Sequence, residues 1–301
     1  MNDKYHLKLP LKTKVLNVFR RVFMSPSIEN WLANKIEKTD SGFYKKLVPP
    51  DYLYKTNSWR KVERNGLKYK LDISHVVDHY LFFHVKDSTF QNFIDAYVKP
   101  GSFVLDIGAN IGTTITRMAA KVGNDGRVIG FEPNLINFQR ASNHIQLNEL
   151  TNCKVENLGL GDKPGVLKLY KVNEHNPGMN RILLDKEEAG EYAYDEVQVI
   201  TLDDYFDKNE LPTVNAVKID VEGFEYFVLK GSAKILAKDT PALFMEINYD
   251  FLKDNHMTPT DVFELLYGYG YNTIVNSATN KRITADEFVP GMHLDIICTK
   301  A

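Results

Sequence analysis

The sequence predicts an α/β fold in which a mostly parallel sheet is covered by helices on both faces. From residue 90 onward, apolar strand-like runs alternate with helical patterns, and alternation of this kind builds parallel sheets. The first run, 103–107, passes into "DIGANIGT", where an acid and two glycines stand between a strand and a helix. Because ligands bind at the carboxyl ends of strands in open parallel sheets, this turn is also the first candidate site.

The alternation continues through the rest of the chain. Strands are predicted at 103–107, 127–132, 154–160, 216–221 and 242–247, and helices at 112–121, 134–147, 224–237 and 260–267. The last helix opens with "TPTD", in which Thr258 suits the N-cap and Pro259 the first turn. Two departures are expected: a hairpin-like pair, 166–170 and 197–201, around a polar loop, and strand-like segments at 271–275 and 293–299.

Residues 1–90 are predicted to form an extension, a helix followed by a hairpin, ahead of a domain over 91–301. The stretch "KTKVLNVFRRVF" places apolar residues at helical spacing among Lys and Arg. This helix either docks on the main domain or a partner, or lies on an anionic membrane surface. Residues 59–72 indicate a hairpin, since Asn65-Gly66 suits a tight turn.

Composition and charge exclude several classes of function. A net charge of -2 over 301 residues gives no argument for a nucleic-acid partner, although residues 1–70 hold 16 Lys and Arg against 6 Asp and Glu. Cys153 and Cys298 lack a zinc spacing and are typical of reduced thiols in the cytosol. No apolar run approaches the ~20 residues of a membrane span, and we expect no signal peptide. A cytoplasmic protein, with membrane contact at most peripheral and through the basic helix, is expected.

The acid at Asp106 argues against a pyrophosphate site in the glycine turn. A dinucleotide turn reads G-x-G-x-x-G, whereas Asn110 and Thr113 occupy the second and third glycine positions after Gly108. A carboxylate repels a pyrophosphate but attracts a cationic ligand such as S-adenosylmethionine, which carries a sulfonium and an ammonium group. A strand–helix turn without any ligand is the structural alternative.

The next two strand ends add candidate cofactor residues. "VIGFEP" ends at Glu132, 24 residues beyond Gly108, about where nucleotide-binding sheets carry the acid that receives ribose hydroxyls. "NLGLGD" brings Leu158, Gly159 and Asp162 towards an adenine, or else forms a plain turn.

Carboxylates recur at the following strand ends. "VKIDVEGFE" places Asp220, Glu222 and Glu225 around Gly223, and "PALFMEIN" adds Glu246. Neighbouring carboxylates repel one another and have raised pKa values, which suits a general base or a metal ligand. Alternatively, Asp220 accepts backbone N–H bonds while the glutamates cap a helix or face water. His175, in the polar loop "NEHNPGMN", is a further candidate base.

Taken together, "FVLDIGANIGTTI", "VIGFEPN", "NLGLGD", "VQVITLDDYF", "VKIDVEGFEYFVLKGSAKIL" and "PALFMEIN" resemble the FkbM family of class I S-adenosylmethionine-dependent methyltransferases. The resemblance covers roughly residues 100–250. It implies a Rossmann-like seven-stranded sheet with one antiparallel strand near its end. It also implies methylation of a hydroxyl, commonly on a saccharide or related small molecule. Residues 1–90 and the fine detail of the 171–196 loop lie outside the resemblance, and we expect these segments to choose the acceptor.

The resemblance also implies roles for individual residues. Asp106, Gly108, Asn110 and Gly112 would frame the methionine part of the cofactor, Glu132 would hold the ribose, and Asp220 would lie beside the transferable methyl group. The cofactor site further includes Ala109, Thr113, Pro133 and Leu158. The order of preference for the catalytic base is Asp220, Glu222, Glu246 and His175, and no metal ligand set is assigned.

Two other functions are compatible with these sequence features. An NAD(P)-dependent oxidoreductase would use the same sheet edge, although the second and third glycines of its turn are missing here. A non-catalytic binding module would keep the fold for contact with a partner, through the basic N-terminal region.

Overall fold

The computed structural model describes residues 9–83, 88–173, 177–184 and 190–300. The chain divides into two compact units. The N-terminal unit comprises Met1–Lys86 with Glu174–Pro177, and the main unit comprises Asp87–Asn173 with Gly178–Ala301. Over the described ranges, no helix combines the length and the apolar character needed to cross a bilayer. The predicted base His175 lies outside the described residues.

The N-terminal unit contains helices and one hairpin. Its elements are α1 (Leu11–Arg20), α2 (Pro26–Thr39), α3 (Gly42–Leu47), β1 (Trp59–Arg64), β2 (Leu67–Asp72) and α4 (Val76–Phe82), with 3₁₀ turns at Arg21–Phe23 and Asp51–Leu53. The predicted hairpin is confirmed, since β1 and β2 pair antiparallel. Asn65 and Gly66 have φ values of 51° and 76°, the left-handed pair that this turn requires.

The main unit alternates strands and helices. Its strands are β3 (Phe103–Ile107), β4 (Arg127–Phe131), β5 (Cys153–Glu156), β6 (Gly159–Leu160), β7 (Gly165–Tyr170), β8 (Arg181–Ile182), β9 (Tyr194–Ile200), β10 (Ala216–Ile219), β11 (Ala242–Asn248), β12 (Thr273–Asn276) and β13 (His293–Thr299). Its helices are α5 (Ser88–Tyr97), α6 (Thr113–Val122), α7 (Leu135–Leu147), α8 (Leu202–Asp207), α9 (Glu225–Lys230), α10 (Ala233–Asp239), α11 (Tyr249–Lys253) and α12 (Pro259–Gly268), with 3₁₀ turns at Pro177–Met179 and Ala285–Glu287.

Seven strands form the central sheet, in the order β12-β13-β11-β10-β3-β4-β5. β13 runs antiparallel to both of its neighbours, and the other pairs are parallel. This confirms the implied sheet with one antiparallel strand near its end. Because β3, β4, β10 and β11 point the same way, the residues that follow them meet at one edge.

Helices cover both faces of the sheet because its central strands are apolar on both sides. Val104 and Leu105 are adjacent in β3, are both fully buried, and belong to different core clusters. Side chains alternate across a strand, so the two residues pack on opposite faces. Phe90 of α5 packs edge-on against Phe244 of β11 on the Val104 face, with ring centroids 5.2 Å apart.

Two predicted elements are interrupted. The strand predicted at 154–160 ends at Glu156, because the Asn157 side chain donates to the carbonyls of Glu132 (2.9 Å) and Pro133 (3.0 Å). The chain then leaves the central sheet, and β6 joins a second sheet of order β6-β9-β7-β8 that contains the predicted antiparallel pair, β7 and β9.

The helix predicted at 224–237 is also divided, into α9 and α10. The break contains Gly231, where an added Cβ would lie 1.9 Å from the carbonyl oxygen of Gly161. The backbones approach so closely here that only glycine fits. The start predicted for the following helix is confirmed, since Thr258 and Asp261 form a capping box at the N-terminus of α12.

Candidate active site

The turn after β3 is held in shape by backbone hydrogen bonds to β4. The N–H groups of Gly108 and Ala109 both donate to the Phe131 carbonyl at 3.0 Å. Gly108, Asn110 and Gly112 have φ values of 80°, 48° and 85°. The chain therefore alternates into the left-handed region three times within five residues before α6 begins, which glycine and asparagine tolerate best.

Both glycines of this turn have a packing reason. A Cβ on Gly108 would lie 1.8 Å from the backbone oxygen of Asp220, and one on Gly112 would lie 2.8 Å from Cα of Ala141. From the sequence, these glycines were expected to let the backbone pass close to a ligand. The structure shows that they first allow the turn to pack against β10 and α7.

Glu132 connects the second predicted motif to the first. Its Oε2 accepts a hydrogen bond from the N–H of Asn110 and its Oε1 accepts one from the N–H of Asn134, both at 2.8 Å. The side chain is buried, and burial raises the pKa of Glu132 to about 7 although these two bonds favour the anion. Each carboxylate oxygen keeps a second lone pair, which can accept a hydrogen bond from a ribose hydroxyl.

A buried lysine links the acids that follow β3 and β10. Lys218 Nζ lies 3.1 Å from Asp220 Oδ2 and 3.6 Å from Asp106 Oδ1, and it donates to the Gly108 carbonyl at 2.7 Å. Burial opposes the charge on Lys218, but Asp220 and Asp106 outweigh it and raise the pKa of the ammonium. We call Asp106, Lys218 and Asp220 the ion triad.

Asp106 is fully buried within the ion triad. Its Oδ2 accepts the Thr114 hydroxyl at 2.5 Å, whereas Oδ1 accepts no hydrogen bond from the described part of the chain. Burial raises the pKa of Asp106, and Lys218 opposes this shift. The Lys218 ammonium, 3.6 Å from Oδ1, supplies the positive charge that compensates this buried carboxylate.

Lys218 is a site residue that the sequence motifs did not reveal. Its strand, β10, is buried over its whole length, and a charged residue between Val217 and Ile219 is unusual for a strand with both faces covered. That contrast is the signal that could have identified it.

Three carboxylates converge beside the ion triad. Oxygen atoms of Asp220, Glu222 and Glu246 all lie within 4.8 Å of one another; we call these three residues the carboxylate cluster. Burial, and then the neighbouring negative charges, raise the pKa of Glu222 to about 8 and that of Glu246 to about 10. The cluster therefore retains protons at neutral pH, as closely spaced acids do when they cannot all ionise.

The loop between β10 and α9 is built to present Glu222. Glu225 Oε1 accepts the N–H groups of Val221 (3.2 Å) and Gly223 (3.1 Å), which is the capping alternative considered for this residue. A Cβ on Gly223 would lie 2.5 Å from the Phe251 carbonyl oxygen. Glu222 itself has a φ of 55°, a left-handed conformation that these contacts stabilise.

Arg181, also missed from the sequence, brings positive charge to the same region. Its Nη1 lies 2.7 Å from Asp254 Oδ2, and its guanidinium carbon lies 4.0 Å from the centre of the Phe251 ring. Its charge lowers the pKa of Glu222, against the larger effect of burial. Arg181 comes from β8 of the second sheet, so no local pattern connects it with Glu222.

The remaining candidate cofactor residues lie at the same edge of the sheet or close to it. Ala109 is buried within the turn, Thr113 begins α6, and Pro133 follows Glu132. Leu158 packs against the core cluster of the sheet, and Asp162 forms an ion pair with Lys230 at 3.3 Å.

The fold is that of a class I S-adenosylmethionine-dependent methyltransferase, and the acids at this edge of the sheet agree with that class. The open lone pairs of Glu132 fit the ribose hydroxyls of S-adenosylmethionine. The sequence profile of the Methyltransferase FkbM domain matches residues 106–273. Since that is more than half of the chain, the protein belongs to the FkbM methyltransferase family.

Several solved structures are similar in fold. A putative rRNA-methylase from Clostridium thermocellum shares 16% identity over 72% of this chain and 97% of its own, with a TM-score of 0.45. A SAM-dependent O-methyltransferase from Thermotoga maritima has 13% sequence identity to this chain, with a TM-score of 0.43, and the match covers 80% of this chain and 77% of that protein. The methyltransferase FkbM from Methylobacillus flagellatus has 18% sequence identity to this chain, with a TM-score of 0.40, and the match covers 73% of this chain and 53% of that protein. No curated protein sequence matches the chain, so the family assignment rests on residues 106–273.

Proposed function

We propose that this methyltransferase acts on a hydroxyl oxygen of a saccharide or a related small metabolite. The observation that supports the proposal is the carboxylate cluster, which shares Asp220 with the ion triad. A hydroxyl is a weak acid, and its oxygen becomes a good nucleophile only as its proton is removed. The cluster supplies a proton acceptor next to the residues that fit the cofactor. The saccharide class of acceptor is drawn from the family resemblance.

S-adenosylmethionine, when bound, supplies a methyl group whose leaving group is already activated. The protein therefore has to align the acceptor oxygen and take its proton. Asp106 and Glu132 would hold the polar groups of the cofactor, and Asp220 would lie beside the methyl group.

Within the carboxylate cluster we assign the proton acceptor to Glu222, ahead of Asp220, which the sequence interpretation placed first. Lys218 Nζ lies 3.1 Å from Asp220 Oδ2, so this carboxylate is already engaged in an ion pair within the ion triad. Glu246, with a pKa of about 10, keeps its proton at neutral pH. Glu222, with a pKa of about 8, lies nearest to the range in which a base is both available and strong.

Labelled S-adenosylmethionine, incubated with the full chain and with fractionated glycans and small metabolites, tests the proposal directly. We expect label to enter a hydroxyl-bearing acceptor in a form stable to mild base, as an ether is. Glu222→Gln should then lower turnover by about 100-fold or more, while calorimetry shows unchanged binding of S-adenosylhomocysteine. Glu196→Gln, at an exposed glutamate of β9, is the matched control.

Two results would contradict different parts of the proposal. Full turnover by Glu222→Gln would remove Glu222 as the base and leave the reaction standing. Binding of S-adenosylhomocysteine with no transfer to any fraction would favour the non-catalytic binding module instead.

A further inference from the structure

Helix α1 is attached to the N-terminal unit by its polar face. Asn17 is the buried residue of this helix, and its Nδ2 donates to the Tyr52 hydroxyl at 3.0 Å. Arg20 donates from Nη1 to Asn17 Oδ1 at 3.2 Å and from Nε to the Lys46 carbonyl at 2.8 Å. These bonds fix the rotation of the helix about its axis.

The apolar side chains of α1 consequently face outward. Leu11, Val15, Val18, Phe19 and, in the following 3₁₀ turn, Val22 are between 50% and 77% exposed. Their spacing of i, i+4, i+7, i+8 and i+11 places them on one face, which we call the apolar stripe. A surface helix of a globular unit ordinarily buries such a face and exposes its polar one. In α1 the apolar face is exposed instead, and Asn17 is the residue that is buried.

Positive charge surrounds the apolar stripe. Lys12 and Lys14 lie on the same helix and Arg21 on its continuation, and residues 4–28 contain no Asp or Glu. A second copy of the chain docked on this face would bring like charges together, which costs free energy. An anionic surface with an apolar layer beneath it complements both features.

We propose that the apolar stripe of α1 inserts into the interface of an anionic lipid bilayer, with the flanking Lys and Arg at the level of the lipid phosphates. An interfacial helix of this kind lies parallel to the membrane and buries its apolar face at the boundary of headgroups and acyl chains. The polar contacts of Asn17 and Arg20 hold the remainder of the N-terminal unit on the aqueous side. The proposal does not depend on the identity of the methyl acceptor.

Sedimentation of the full chain with vesicles tests it. We expect the protein to pellet with vesicles of phosphatidylcholine and phosphatidylglycerol, and to pellet less with phosphatidylcholine alone or at high salt. Val18→Ser combined with Phe19→Ser should lower the partition coefficient by about tenfold or more. Lys14→Gln and Arg21→Gln should each lower it by about fivefold, on anionic vesicles only.

The control is Val289→Ser, which removes an equally exposed apolar side chain from the main unit and should leave binding unchanged. Far-ultraviolet circular dichroism confirms that each variant is folded, as expected for changes at exposed positions. Failure of the wild-type chain to pellet with anionic vesicles, or equal pelleting by Val18→Ser/Phe19→Ser, would overturn the proposal. So would a lipid-free dimer in analytical ultracentrifugation that Phe19→Ser dissociates, because the stripe would then be a surface for self-association.

Discussion

Replacing Lys218 by methionine tests whether the ion triad stabilises the main unit. Methionine keeps most of the aliphatic stem but removes the bond to the Gly108 carbonyl and both ion pairs. The Asp106 side chain is 0% exposed and would lose its compensating charge. Removing one partner of a buried ion pair costs about 3–5 kcal/mol. Because Asp220 is 38% exposed and is partly solvated, we expect a loss near the lower limit, about 3 kcal/mol.

Urea unfolding followed by circular dichroism measures this loss. Lys230→Met is the matched control, since Lys230 is 52% exposed and pairs with Asp162 across 3.3 Å; the change should cost less than about 1 kcal/mol. Adding Asp106→Asn to Lys218→Met should recover part of the stability, because the uncompensated buried charge is then gone. A loss for Lys218→Met no larger than that of Lys230→Met, or no recovery in the double variant, would refute the role assigned to the ion triad.

Three further changes test the turn, the cofactor residue and the carboxylate cluster. Gly108→Ala should lower the free energy of unfolding by at least about 3 kcal/mol, because the new Cβ would overlap the Asp220 carbonyl. The control is Gly101→Ala, at a residue with a φ of 79° and open space around it, which should cost about 1–2 kcal/mol. Equal losses for the two variants in urea unfolding would contradict this. Glu132→Gln should weaken the binding of S-adenosylhomocysteine by about tenfold or more in calorimetry, because the new amide N–H₂ would face a backbone N–H group. Unchanged affinity would remove Glu132 from the cofactor site. Burial raises the pKa of Glu246 from its ordinary value of 4.5 to about 10 in the folded state. Between these two pH values the folded state binds more protons than the unfolded state, so the free energy of unfolding falls as the pH rises. Unfolding of Glu246→Gln between pH 6 and pH 9 should therefore show a shallower fall than the wild type, and an unchanged slope would count against the raised pKa.

The order of strands and helices could be predicted because it depends on local pattern. Apolar runs and helical periodicity require no knowledge of distant residues, and parallel strands necessarily bring their carboxyl ends to one edge. For that reason Asp106, Glu132, Asp220 and Glu246 could be grouped in advance. The errors lie where a bond to residues far away in the chain intervenes, as where Asn157 ends β5 by donating to the carbonyls of Glu132 and Pro133.

The sequence by itself determined the class of fold, and it predicted which edge of the sheet carries the site and the kind of ligand that the acids there attract. Only the tertiary structure decided which positive charges compensate the negative charges of those acids. Lys218 compensates Asp106 because β10 lies beside β3 and the two residues are register partners, although they stand far apart in the chain. In the same way, the pattern of α1 predicted an amphipathic helix, but the bonds of Asn17 and Arg20 decided that its apolar face is the exposed one. Periodicity is a local property, whereas charge compensation and the choice of packed face depend on neighbours that only the folded chain brings together.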